Sequence, residues 1–166
     1  MLREVAMTKR AVCLMAFLTS ACVLSPASGF AETVLKIEAT GVGIIDLQNF
    51  KHADGSTAQL FTTRSVWTFT EGDFAGTSAG VTCHGLGNVT AEGVYSGQLL
   101  CEETYSATDT TTTNYVDGPT GGDWVIIGGT GKYKGAKGGG HVTYTWGDAV
   151  FGDKVTMTNE GTITLP

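Results

Sequence analysis

The stretch Gly128–Gly140, GGTGKYKGAKGGG, sets seven glycines and three lysines around one tyrosine, directly after the apolar run DWVIIG. Such a stretch builds either a loop that cradles phosphate or a corner in a strongly curved sheet. A Walker-type phosphate loop anchored on Gly131-Lys132 needs glycine at 126 and Ser or Thr at 133, where the chain has Ile126 and Tyr133. The dinucleotide fingerprint Gly-x-Gly-x-x-Gly fails as well, because Gly129, Gly131 and Gly135 miss its spacing by one residue. No amphipathic helix follows to offer its N-terminus to an anion. The architectural alternative survives: a strand ends near Ile127, Gly128, Gly129, Gly131 and Gly135 form a turn, and a new strand begins near Gly138. Tyr133 is expected to plug one end of a barrel, with Lys132 and Lys134 pointing into water.

The rest of the chain agrees with strands. Apolar residues do not recur at helical spacing over three turns, whereas alternation with period two is common. RSVWTFT puts Ser65, Trp67 and Phe69 on one face, and GHVTYTWGD sets Val142, Tyr144 and Trp146 against His141, Thr143 and Thr145. KVTMTNEGTITLP separates Val155, Met157, Ile163 and Leu165 from Thr156, Thr158, Thr162 and Thr164. The threonine faces suit contact with water. Further candidates are TVLKIEA, IIDLQN, AQLFTT, AGTSAGVTCHG, GVYSGQLLCEETY and DWVIIG, which makes about eight or nine strands. The run TDTTTTNY, Thr108–Tyr115, reads equally as a strand or a loop. Turn signals, among them Asp54-Gly55, Asp117-Gly118-Pro119 and Gly152-Asp153, separate the segments. Closing the sheet removes its edges, so the expected fold is all-β, a single antiparallel barrel of about eight strands.

The N-terminus stands apart. MLREVAMTKR carries three positive side chains and precedes AVCLMAFLTSACVL, an apolar run too short to span a bilayer. Gly29 and Ala31 supply the small residues a signal peptidase requires, so residues 1–31 read as a signal peptide cleaved after Ala31 and 32–166 as the barrel domain. A rival reading makes Cys22 a lipid-anchor site, although Leu18 stands one place too far from it. The expected location is secreted or periplasmic. Residues 32–166 hold 7 basic and 15 acidic residues, a formal charge of −8, which disfavours nucleic acid and anionic membrane as partners. Cys13 and Cys22 leave with the signal peptide, and Cys83 with Cys101 reads as one disulfide. The alternatives, free thiols or half of a metal site, have no CxxC spacing behind them.

The order apolar strand, Gly128-Gly129-Thr130-Gly131-Lys132-Tyr133, short turn and Gly-rich strand resembles a segment of the allene oxide cyclase and dirigent barrel superfamily. It is more similar still to a branch of bacterial secreted proteins in which a cysteine pair precedes the motif as Cys83 and Cys101 do. The specific match covers roughly residues 80–147. The resemblance implies an eight-stranded barrel with a largely apolar central cavity, and oligomer formation as in the plant families. No position here matches the active-site residues of those families. Where the bacterial relatives carry an acidic Asp-x-Asp-Gly-Asp run, this chain has Thr108-Asp109-Thr110 and Asp117-Gly118-Pro119, so no cation site is carried over.

Candidate chemistry is sparse. His52, His84 and His141 are dispersed and lack zinc spacing, so neither a metal nor a cofactor is expected. Glu160, which interrupts the last strand, and His141 are the candidate acid–base groups if their face is inside. Glu102 and Glu103 fall on opposite faces near a strand end, where the rim exposes both. Trp67, Phe69, Tyr144 and Trp146 are the candidate walls of a site for a small apolar or aromatic molecule. Three functions follow: a luminal binding protein, a cofactor-free isomerase or cyclase, or a filled barrel that acts through its outer surface. Intact-mass analysis of the exported protein should show a chain that begins at Glu32 and lacks two hydrogens. A lipid mass on Cys22 would contradict the cleavage site.

Overall fold

The structure, a computed structural model, describes residues 32–146 and 155–166. The expected signal peptide, its cleavage point, Cys22 and the Gly152-Asp153 turn lie outside the described residues. Eight strands follow one another: β1 Thr33–Lys51, β2 Thr57–Gly72, β3 Ser78–Val89, β4 Tyr95–Thr104, β5 Thr110–Asp117, β6 Gly121–Gly129, β7 Lys137–Trp146 and β8 Val155–Leu165. Each pairs antiparallel with its chain neighbour, and β8 returns to β1, closing the barrel. TVLKIEA and IIDLQN are halves of one 19-residue strand. The threonine-rich run is β5, because both its neighbours supply a complete ladder.

An eight-stranded barrel is just wide enough to be filled by its own side chains. Here large aromatics lie over glycines of adjacent strands or of the next strand but one. A Cβ on Gly41 would stand 2.8 Å from the Trp67 ring, one on Gly85 2.8 Å from Phe61, and one on Gly161 2.6 Å from Trp124. The glycines therefore give the rings the room that a small barrel lacks. Trp124 also donates its indole N–H to Asn159 Oδ1 at 2.8 Å, which pins β6 to β8 across the interior. Cys83 and Cys101 face each other on β3 and β4, both buried, and form the disulfide.

The opening stretch is the corner it promised to be. Gly131–Tyr133 form one 3-10 turn, and Tyr133 is 0% exposed. Its ring lies 4.6 Å from Tyr105 and 6.5 Å from Phe74, and Phe69 joins the same cluster, so the loops after β2, β4 and β6 close one end of the barrel together. The turn is tied to the β4–β5 loop. Lys132 N–H donates to Asp109 Oδ1 at 3.1 Å, and the Thr130 hydroxyl donates to the Thr108 carbonyl at 2.7 Å. Gly131 has φ +55°, a conformation glycine adopts without strain, and Asp109 occupies the space of its missing side chain. Lys132 is exposed, as expected. Its ammonium lies over the Tyr133 and Phe74 rings, 5.0 and 5.9 Å from their centroids, because ring faces attract a cation.

Gly161→Ala should lower stability by about 1–3 kcal/mol through overpacking against Trp124. Gly80→Ala, where nothing lies within 4 Å of the added Cβ, should leave stability within about 0.5 kcal/mol of the parent. Urea unfolding of both variants checks the pair.

Candidate functional site

The two ends of the lumen differ. At the end closed by Tyr133, the inward side chains Ile37, Phe69, Ala79, Thr111 and Ile163 are buried to within a few per cent. At the opposite end the inward-facing Ile45, Leu47, Ser65, Tyr95 and Tyr144 are only half-buried. Among the described residues the lumen is thus tightly filled below and lined by half-buried side chains above. A polar seam runs down one wall of it, made by β4 and β5.

The seam has an acid at each end. Glu103, on β4 near the closed end, is 8% exposed and gathers four hydroxyl groups. Tyr105 and Thr111 donate to its Oε2 at 2.8 and 3.0 Å, and Thr113 and Tyr115 donate to Oε1 at 3.3 and 3.4 Å. These donors occupy the four acceptor positions that a carboxylate offers. Burial nevertheless dominates and holds the Glu103 carboxyl above the usual range, against the lowering pull of the four hydroxyls. The Tyr115 phenol is pushed well up by burial first and by Glu103 second.

Asp117, the last residue of β5, sits at the opposite end and is 9% exposed. Tyr95 donates to its Oδ2 at 3.3 Å, and the Tyr144 hydroxyl also bonds to it. Burial raises the Asp117 carboxyl, opposed by Tyr144, Tyr95 and the Gly118 N–H. Burial and then Asp117 raise both tyrosines. The result is a buried carboxyl group held between two half-buried phenols, able to accept a hydrogen bond or hold a proton. Close by, Gln59 donates to Asn49 Oδ1 at 2.9 Å.

The sequence-derived candidates are placed as follows. Trp67 and Tyr144 point into the lumen. Phe69 does too, but it stacks on Phe74 and Tyr105 at the closed end. The Trp146 side chain lies outside the described residues. Glu160 and His141 are both on the outer face, exposed, because the alternation of β7 and β8 turns Val142 and Asn159 inward instead. His141 pairs there with Asp123 at 2.7 Å. The inward carboxylates are Glu103 and Asp117. Glu103 was expected at an exposing rim, yet the barrel continues past it through Tyr105 and the plug. Asp117 was read only as part of a turn. A usable signal existed: once Cys101 faces the disulfide inside, alternation carries Leu99 and Glu103 inward, and pairing with Thr113 carries Tyr115 and Asp117 with them.

Together these features define an eight-stranded antiparallel meander barrel with one end closed by its loops. The pterocarpan synthase dirigent protein GePTS1 has a similar structure, with a TM-score of 0.51 and 13% identity, covering 87% of this chain and 98% of its own. A second pterocarpan synthase dirigent protein, PsPTS1, superposes more loosely, at a TM-score of 0.45 with 14% identity over 81% of this chain and 95% of its own. No protein-family model matches the sequence, and no curated protein matches it.

A carboxyl whose folded-state pKa is raised contributes stability that is complete below its unfolded value and is lost as pH rises through the folded one. For Glu103 the loss therefore begins near pH 4.5 and continues upward. Between pH 5 and pH 8, on the order of the ordinary carboxylate range and above, Glu103→Gln should lose less stability than the parent protein. Urea midpoints at both pH values measure it, and an equal loss in the two proteins would contradict a neutral-favouring site.

Proposed function

We propose that the protein binds a small aromatic molecule carrying a hydroxyl group in the half-buried end of its lumen, with that hydroxyl placed on Asp117. The observation that carries this reading is the Tyr95–Asp117–Tyr144 cluster at the half-buried end of an otherwise tightly filled barrel. An aromatic ligand would find ring surfaces in Tyr95, Tyr144 and, deeper, Trp67, and one strong acceptor that fixes its orientation. Phe69 would act from behind, by packing the floor. Residues 1–31 would export the chain, a reading supported by a disulfide of the kind an oxidising compartment maintains.

A second reading has one observation in its favour. Burial keeps Asp117 and Glu103 prone to hold a proton, and a protonated Asp117 could donate it to a leaving hydroxyl or an alkene carbon in an isomerase or cyclase without any cofactor. The solved neighbours are synthases by name, which fits that reading without deciding it.

The test is titration of the purified protein with simple phenols and with hydrocarbons of equal size, followed by tryptophan fluorescence. Phenols should bind saturably and more tightly, Asp117→Leu should weaken them about tenfold, the cost of one hydrogen bond to a charged or polarised acceptor, and Glu160→Gln should change nothing. Equal binding of the hydrocarbons, or indifference to Asp117→Leu, would overturn the placement. Turnover of a bound phenol that Asp117→Asn abolishes while binding persists would select the second reading.

A further inference from the structure

One inward-facing row of the barrel carries polar side chains where its neighbour carries rings. In register across β1 to β6 it runs Asn49, Gln59, Gly87, Gly97, Asp117 and Gly122. The next row toward the closed end is apolar and aromatic, with Phe61, Leu99, Tyr115 and Trp124. Gln59 is the unexpected member. The alternation of β2 turns it inward with Phe61, Trp67 and Phe69, and it is 5% exposed. An amide at such a position is costly unless both of its ends are bonded. Its Nε2 donates to Asn49 Oδ1 at 2.9 Å, and among the described residues no donor reaches its Oε1. On the same row Asp117 Oδ1 lies over Gly122, buried and with no hydrogen bond among the described residues. Two acceptor atoms, on side chains nine-tenths or more buried, thus stand without a donor on a single row.

Tyr95 gauges the distance between them. Gly87 and Gly97 leave a notch between Gln59 and Asp117, and the Tyr95 ring lies in it. A Cβ on Gly87 would stand 2.7 Å from Tyr95 Cε2 and 3.4 Å from Gln59 Oε1, and one on Gly97 would stand 2.9 Å from Tyr95 Cζ. The ring edge is therefore beside Gln59, while its hydroxyl donates to Asp117 Oδ2 at 3.3 Å. A single aromatic ring with a polar group at each end matches that span. We infer that the luminal ligand carries two hydrogen-bond donors at opposite ends of a flat ring, as a para-diphenol does, and that Gln59 accepts the second while Asp117 accepts the first. This rests on the luminal reading above and narrows its ligand from any phenol to a diphenol-like molecule, stacked on the Tyr95 ring. The chemistry is directional. Both open atoms are acceptors, so an ether in place of the second hydroxyl would set a lone pair against Gln59 Oε1 and leave it unsatisfied. Asn49 is the positioning residue: by taking the Gln59 N–H at the rim, it turns the Gln59 oxygen toward the notch.

Isothermal titration calorimetry of the purified protein with phenol, hydroquinone and 4-methoxyphenol tests the inference. Hydroquinone should bind about tenfold more tightly than 4-methoxyphenol, the value of one hydrogen bond to a buried acceptor. Gln59→Met, which nearly keeps the volume and removes the acceptor, should erase that preference and leave phenol binding unchanged. Asn49→Ala, at the exposed rim, should narrow the preference by releasing the amide to turn. Equal affinity of the parent for hydroquinone and 4-methoxyphenol would overturn the inference, whether or not Gln59→Met folds, and so would a preference that survives in Gln59→Met. The luminal reading is judged separately, on phenol alone. Phenol that binds and responds to Asp117→Leu, with no gain for hydroquinone, would remove only the role of Gln59, whereas absence of binding by all three compounds would overturn both.

Discussion

The narrow interior of an eight-stranded barrel is the constraint on which the rest of the molecule depends. The lumen admits about one layer of large side chains, so each ring that enters must be matched by a missing side chain opposite. Glycines at 41, 85 and 161 provide that match for Trp67, Phe61 and Trp124. At these three positions glycine is thus a packing requirement and not a sign of loops. The glycine-lysine corner extends the same logic beyond the strands. There a glycine with positive φ lets the chain fold over the barrel end and drop Tyr133 into the one place left, against Phe69, Phe74 and Tyr105.

Sealing one end gives the two inward acids different roles, although they share a wall and both have raised pKa values. Glu103 has its acceptor positions filled by protein hydroxyls, which ties β4 to β5 but leaves it little capacity for a ligand. Asp117 is buried to the same degree, but the two phenols around it, Tyr95 and Tyr144, are only half-buried and, among the described residues, no threonine is its partner. A buried polar group that is fully satisfied by protein hydroxyls belongs to the architecture, whereas one flanked by half-buried phenols has neighbours a ligand could contact. That distinction, rather than either pKa shift, is why the functional reading rests on Asp117.

The strand pattern, the barrel and the plug were legible in the sequence because each depends on local periodicity or on a motif whose phosphate-binding alternatives fail on spacing. The merging of two strand candidates into β1 was not, since Gly41 and Gly43 look like a break until Trp67 is seen to need the first of them. The interior acids were hidden for a different reason. Thr111 and Thr113 face inward only because Glu103 awaits them, and a threonine face is otherwise the mark of the solvent side. Glu160 and His141 caught attention by interrupting a pattern, yet they lie on the face where interruption costs least. Cysteine parity across β3 and β4 carried the missing information, and it becomes usable once the disulfide is placed inside.

The most direct test of a lumen divided into a structural and a functional end is a carbon-13 chemical-shift titration of the aspartate and glutamate carboxyls and tyrosine rings during addition of a simple phenol. The account predicts that signals of Asp117, Tyr95 and Tyr144 move together while those of Glu103, Tyr105 and Tyr133 stay in place. Movement of the Glu103 group, with Asp117 unaffected, would contradict it.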